Sequence, residues 1–158
     1  MTVMQVRRMS AGDLWRVVEI AASLAHAPRW PESAYLAAMN AENLPQRIAL
    51  VAEDSGTVMG FVIASVVAQE AELEMIAVAA EAHRRGLGGK LLEALLAELR
   101  AAHVSDLILE VRTSNGAAQG LYRAGVRVSY CERSTSFHFP SMISLRIWTA
   151  VFPAWVSV

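Results

Sequence analysis

Lysine is almost missing from this chain. Lys90 stands alone among 14 basic residues, the rest are arginine, and 15 acidic residues leave a net charge of −1. There is no global basic excess to hold nucleic acid, so any attraction to a polyanion must be local. Cysteine is as scarce. Cys131 is single, which excludes an internal disulfide and points to a reducing compartment. The opening MTVMQVRRMS has no apolar stretch before its charges, so no secretory leader is expected. No run reaches the ~18 apolar residues of a membrane helix, and the nearest, LRIWTAVFPAWVSV, is broken by Arg146 and Pro153. His26, His103 and His138 share no ligand spacing with Cys131 or with carboxylates, so no metal is expected. Repeats and linkers are missing too. These absences leave a cytoplasmic single domain of 158 residues, 54% hydrophobic and 18% charged, able to bury a core.

The periodicities present describe a mixed α/β order. VMQVRR reads as a first strand. SAGDLWRVVEIAASLA reads as a helix capped by Ser10, and ESAYLAAMNAEN as a second short helix. RIALVAED and VMGFVIASVVA flank the turn SGT and predict a hairpin. AELEMIAVA is a further strand. Leu87, Leu91, Leu95 and Leu99, with Leu92 and Leu96 beside them, make one helical stripe. SDLILEVRTSN is a strand, and NGAAQGLYRA a helix with Asn115 at its cap. VRVSYCERSTSFHF and MISLRIWTAVF suggest further strands with a weaker pattern. The order is β-α-α-β-β-β-α-β-α-β, a mixed sheet flanked by helices.

The stretch AHRRGLGGKLLEALLAELRAA joins a strand ending near Val78 to a helix beginning near Gly86. Amides at a helix start lack intrahelical partners, and the helix dipole adds partial positive charge there. Glycines allow close approach of a bulky anion, so the place suits a pyrophosphate, with Arg84 and Arg85 adding cations. A Walker loop fails because Leu91 follows Gly89-Lys90. The dinucleotide fingerprint fails because Leu91 stands where its third glycine belongs.

A second motif, LEVRTSNGAAQGLY, places Glu110 in a strand, Asn115 at a helix start and Tyr122 one to two turns further. With IAVAAEAHRRGLGGKLLEALLAEL before it, the chain resembles the GNAT superfamily of N-acetyltransferases, and within it the bacterial ribosomal-protein-alanine N-acetyltransferases, from about Val6 to Tyr122. The family's Gln/Arg-x-x-Gly-x-Gly/Ala motif falls on His83, Gly86 and Gly88, with histidine in place of the usual first residue. The resemblance implies acetyl-CoA as co-substrate. It implies contacts from Ile76, Ala77 and Val78 to the pantetheine, and from Arg84, Arg85, Gly86, Leu87, Gly88 and Gly89 to the pyrophosphate. His83, Asn115 and Tyr122 complete the expected cofactor set. It implies transfer of acetyl to an amine, with the N-terminal alanine of a ribosomal protein favoured over a small amine, the alternative being a non-catalytic acyl-CoA-binding module if the C-terminal segment has destroyed the acceptor site.

Such a transfer needs a base for the amine, a donor to the thioester carbonyl and an acid for the departing thiolate. An α-amine with pKa near 8 needs only a modest base, and a phenol near 10 can protonate a thiolate. The resemblance assigns the base to Glu110 and the acid to Tyr122, with an amide near Val78 polarising the carbonyl. Glu74, on the neighbouring strand, is a rival base. Glu110 is equally readable as the partner of Arg112 on one strand face. The expected partners are acetyl-CoA and a protein N-terminus or small amine, without nucleic acid or membrane, for a monomer or weak dimer.

The resemblance stops after Tyr122. Arg123, Ala124, Gly125 and Val126 run one residue short of the family's Gly-Phe, and the sequence beyond does not look like its ending. The tyrosine pair expected around the acceptor is absent, with Tyr130 the nearest candidate. The chain divides accordingly into a 1–125 acyl-CoA-binding and catalytic core and a 126–158 segment, divergent or frame-shifted, of the same domain. A loss of the last strand there would leave an open sheet edge.

Overall fold

The apolar runs on either side of Ser55-Gly56 fold into a hairpin because both turn residues take positive φ, 51° and 84°, the geometry that suits the twist of the strands it joins. These strands are β2 (Gln46–Asp54) and β3 (Thr57–Val67), paired antiparallel. A computed structural model describes residues 4–24, 27, 29–110, 116–117, 120–121, 135–138, 144–148 and 156–157. Within it β1 (Met4–Arg8) flanks β2, and β4 (Glu70–Val78) flanks β3, both antiparallel. β5 (Asp106–Glu110) lies parallel to β4. A parallel pair needs a crossover, and α3 (Leu87–Ala101) provides it.

The sheet continues through β7 (Ser144–Trp148), parallel to β5, to β6 (Thr135–His138), antiparallel to β7. A short β8 (Val156–Ser157) pairs with β4 off the main path. β5 therefore has a partner on the side away from β4. Residues from the atypical segment supply it, because SLRIW keeps enough β-branched and apolar character to pair.

Strand alternation sends successive side chains into two layers. Leu50, Ala52, Val62, Ala64, Ile76 and Val78 meet the leucine stripe of α3, where Leu87, Leu91, Leu92, Leu95, Leu96 and Leu99 are all buried. On the other face Val51, Phe61, Ile63, Met75 and Ala77 meet α1 (Leu14–Ser23) and α2 (Glu32–Met39) through Val17, Ile20, Tyr35 and Ala38. Each fully buried Leu, Ile or Phe contributes about 1.5–3 kcal/mol. Tyr35 packs edge-on to Phe61 at 6.2 Å between ring centres and tilted to Trp30 at 5.4 Å, and burial pushes its phenol pKa up.

Two features lie outside what periodicity predicts. The ladder between β3 and β4 pairs Ile63 with Met75 but Ala64 with Leu73, leaving Glu74 as the extra residue of a bulge. The bulge flips the faces, so Ala71 and Leu73 share a layer with Ile76 and Val78 and not with Met75. Gly60 is the second. A Cβ there would stand 2.8 Å from the Ala77 carbonyl oxygen and 3.2 Å from Leu91, so only glycine lets β3 lie this close to the end of β4.

Ser10 caps a 3-10 turn, Ala11–Asp13, and α1 begins after it at Leu14. The Ser10 amide and hydroxyl both donate to Asp13 Oδ2, at 2.8 and 2.9 Å. Arg7 donates to both Asp13 oxygens, at 2.8 and 2.9 Å, and to Glu53. The Arg7 guanidinium, opposed by desolvation and helped by Ser10, holds the Asp13 carboxyl down at about 2 against 3.8 when free. No helix among the described residues is long and apolar enough to cross a membrane.

A depressed acid pKa adds stability above the unfolded value and loses it as pH falls through the folded one. Asp13→Asn is expected to lower stability by about 1–2 kcal/mol at neutral pH. The gap to the unaltered chain should close as pH falls from about 4 towards 2. Thermal melts across that range check it, and a gap independent of pH would refute the assignment.

Candidate active site

β4 and β5 touch only where Glu70, Ala71 and Glu72 pair with Asp106, Leu107 and Ile108. Beyond that the two strands part towards their C-terminal ends. β3 keeps the other edge of β4 in register to Val78. The Ala79 amide donates to Met59 O at 2.8 Å on the β3 side. Strand alternation therefore turns the Val78 amide and carbonyl to the edge facing the wedge. The carbonyl accepts from His83 Nε2 at 3.0 Å. On this edge β8 pairs in parallel with Ile76 and Ala77, a register that directs the Val78 amide at the Ser157 carbonyl.

The loop after β4 brings the second element to the same end. Gly86, the residue preceding α3, sits at φ 76° and ψ 11°, a left-handed conformation that glycine takes without penalty. The first backbone bond of α3 is Lys90 N–H to Gly86 O at 3.2 Å. The amides of Leu87, Gly88 and Gly89 thus remain without partners among the described residues, and they concentrate the positive end of the helix dipole. A cleft of about 180 Å³ lies over them, lined by Val78, Ala82, His83, Arg84, Gly86, Leu87, Gly88 and Gly89 and closed across by Ala117 and Leu121.

The arginines part company. Arg85 Nη2 donates to Asp54 Oδ2 at 2.6 Å, and Asp54 is buried. Its guanidinium ties the loop to the β2–β3 hairpin. Arg84, exposed and with φ at 61°, has no ion-pair partner among the described residues. The His83 ring nitrogen fastens the loop back to the end of β4, five residues earlier.

Glu74 is held from below. Arg47 Nε and Nη2 donate to both its oxygens at 2.7 and 3.0 Å, and both side chains are largely buried. Both oxygens of Glu74 are thus already engaged by one guanidinium. Glu110 ends β5, opposite Trp148 of β7 in register. Its side chain, and the whole of Asn115 and Tyr122, lie outside the described residues, as do Arg112, Tyr130 and Cys131. Gly60, Asp54 and the bulge at Glu74 were missed in the sequence. A glycine inside an apolar strand run was the available signal for the first; the other two have none at the level of pattern.

Residues 15–126 match the model of the acetyltransferase (GNAT) family. The chain belongs to this family. It is 42% identical over 100 residues to the [ribosomal protein bS18]-alanine N-acetyltransferase of Salmonella typhimurium, a stretch that spans 63% of this chain and 65% of that relative. In structure it resembles the ribosomal-protein-S18-alanine N-acetyltransferase of Escherichia coli, with TM-score 0.68 and 30% identity over 94% of this chain and 96% of the other. A GNAT acetyltransferase from Brucella melitensis in complex with acetyl-CoA superposes with TM-score 0.55 and 25% identity over 66% of this chain and 73% of the other. The mixed sheet and the helices on its two faces agree with the expected fold.

Gly86 and Gly89 separate backbone strain from ligand contact. A Cβ at either meets nothing within 4 Å, but only Gly86 has positive φ. Gly86→Ala is expected to cost about 1 kcal/mol of stability. Gly89→Glu should leave the fold intact and weaken binding of an anionic ligand by tenfold or more, since it sets a carboxylate among the free amides. Thermal melts and calorimetry with coenzyme A read the two effects separately.

Proposed function

We propose that this protein is a cytoplasmic acetyl-CoA-dependent N-acetyltransferase whose acceptor is the N-terminal α-amine of a protein, with alanine as the first residue. One observation carries the reading. The wedge-facing edge of β4, the free amides of α3 and the unpaired Arg84 all converge on one cleft. An edge amide, a helix N-terminus and a cation are what an acyl thioester on a pyrophosphate-bearing carrier requires. The acceptor comes from the relatives, two of which are named for the alanine of ribosomal protein S18.

The residues present fit such a ligand. Leu87, Gly88 and Gly89 amides with Arg84 would hold its pyrophosphate. The strand edge from Ile76 to Val78 would pair with its pantetheine. Acetyl-CoA supplies an activated acetyl group when bound. The Val78 amide donates to the thioester carbonyl, where negative charge gathers during transfer. Glu110 takes the proton of the incoming amine, directly or through water, and Tyr122 returns one to the departing thiolate. Glu110 is preferred to Glu74 because Arg47 already engages both oxygens of the latter. In this reading 126–158 completes the same domain.

Turnover on an alanine-starting peptide, set beside a panel of free small amines, tests the acceptor. Activity confined to the small amines would sink the protein-N-terminus assignment. Glu110→Gln is expected to lower kcat about 10²-fold with a KM for acetyl-CoA near the original. Glu74→Gln should instead lower stability, by leaving Arg47 without its counter-charge, and preserve the pH profile of kcat. The opposite pattern in the two variants would move the base to Glu74.

A further inference from the structure

The edge of β4 assigned to the pantetheine is not bare. β8 pairs with it, Val156 opposite Ile76 and Ser157 opposite Ala77, running parallel to β4. β3 fills the other edge along the whole of β4, so β8 lies on the same side as β5, inside the wedge. β5 uses that edge at Glu70 to Glu72 and β8 at Ile76 and Ala77. The amide and carbonyl of Ile76 face this edge by the alternation that sets Ala79 towards β3. In a parallel ladder the residue after the register partner donates to such a carbonyl, which directs the Ser157 amide at Ile76.

A pantetheine arm carries two amides along a linear chain. It offers a strand edge the same donors and acceptors that a peptide offers, and two chains cannot share one edge. We propose that Val156–Ser157 is a displaceable strand that occupies the Ile76–Ala77 edge in competition with the pantetheine of acyl-CoA. The inference rests on the acyl-CoA reading above. The contact is short, so displacement is inexpensive. Its tether to the same chain holds it at a high effective concentration, so even a weak contact competes. The same register directs the Ser157 carbonyl at the Val78 amide, so the donor meant for the thioester carbonyl is covered as well. The tail therefore obstructs the pantetheine track and leaves the amide cradle at α3 open, so the pyrophosphate end can dock first and the strand then yields.

The test combines calorimetry with hydrogen exchange on the full chain. Ser157→Pro removes the donating amide, while Ser157→Ala keeps it. If β8 is seated roughly 90% of the time, Ser157→Pro binds acetyl-CoA about tenfold more tightly and Ser157→Ala binds as the unaltered chain does. Added acetyl-CoA should speed amide exchange at Val156 and Ser157 of the unaltered chain and slow it at Ile76 to Val78. Equal or weaker binding by a folded Ser157→Pro chain overturns the inference alone, provided all three chains bind. Absence of binding in every chain overturns the acyl-CoA reading and this inference with it. Should Ser157→Pro fail to fold, the exchange measurement decides, and exchange at 156–157 indifferent to acetyl-CoA overturns the proposal.

Discussion

Everything at the functional end follows from β4 and β5 parting after Glu72 and Ile108. A fully paired parallel sheet would spend the wedge-facing amides and carbonyls of β4 on its neighbour. Because the pairing stops early, the last turn of β4 keeps a polar edge in an otherwise apolar setting, where Ile76, Ala77 and Val78 have their side chains buried. Such an edge demands a partner, since unpaired backbone groups away from water cost as much as lost hydrogen bonds. The leucine face of α3 packs against the strand on one side, and Phe61 and Tyr35 cluster with its Met75 on the other.

Charge is distributed with similar economy. Arg7, Arg8, Arg16, Arg47 and Arg85 are each bound to carboxylates, respectively Asp13 and Glu53, Glu98, Glu19 and Glu81, Glu74, and Asp54. Most of these pairs are partly exposed and contribute modestly to stability. Their effect on the site is one of subtraction. In a chain with no net positive charge, this leaves Arg84 and Lys90, neither ion-paired among the described residues, and the helix amides as the local attractors for an anion.

The strands, the α3 stripe and the glycine turn were legible because each rests on local periodicity or on backbone chemistry with a residue-level signature. The hairpin at Ser55-Gly56 and the leucines from Leu87 to Leu99 fall where expected. The division of labour between Arg84 and Arg85 was not legible, since adjacent arginines look alike until Asp54, thirty-one positions away, is folded against one of them. The bulge at Glu74 was hidden for a related reason: apolar residues continue through it, and only the pairing with Ile63 and Ala64 reveals the change of face. Ser10 shows a smaller displacement, its cap serving the short turn ahead of the helix. The tail kept a legible strand signal in MISLRIWTAVF, where β7 lies. Its sequence departs from the family's ending, yet alternation in SLRIW was enough to pair with β5.

The His83 bond to Val78 gives the site a sense of length. It ties the glycine loop to the strand end it departs from, and Arg85 ties the same loop to the hairpin. The cation-and-amide cradle and the Val78 amide are thereby fixed at a set separation, like two jaws of a gauge. Under the function proposed above, a carrier would have to span that separation to put a phosphate in one jaw and a carbonyl in the other. Its selection would then be a matter of reach, set by two side-chain bonds that never meet the reacting atoms.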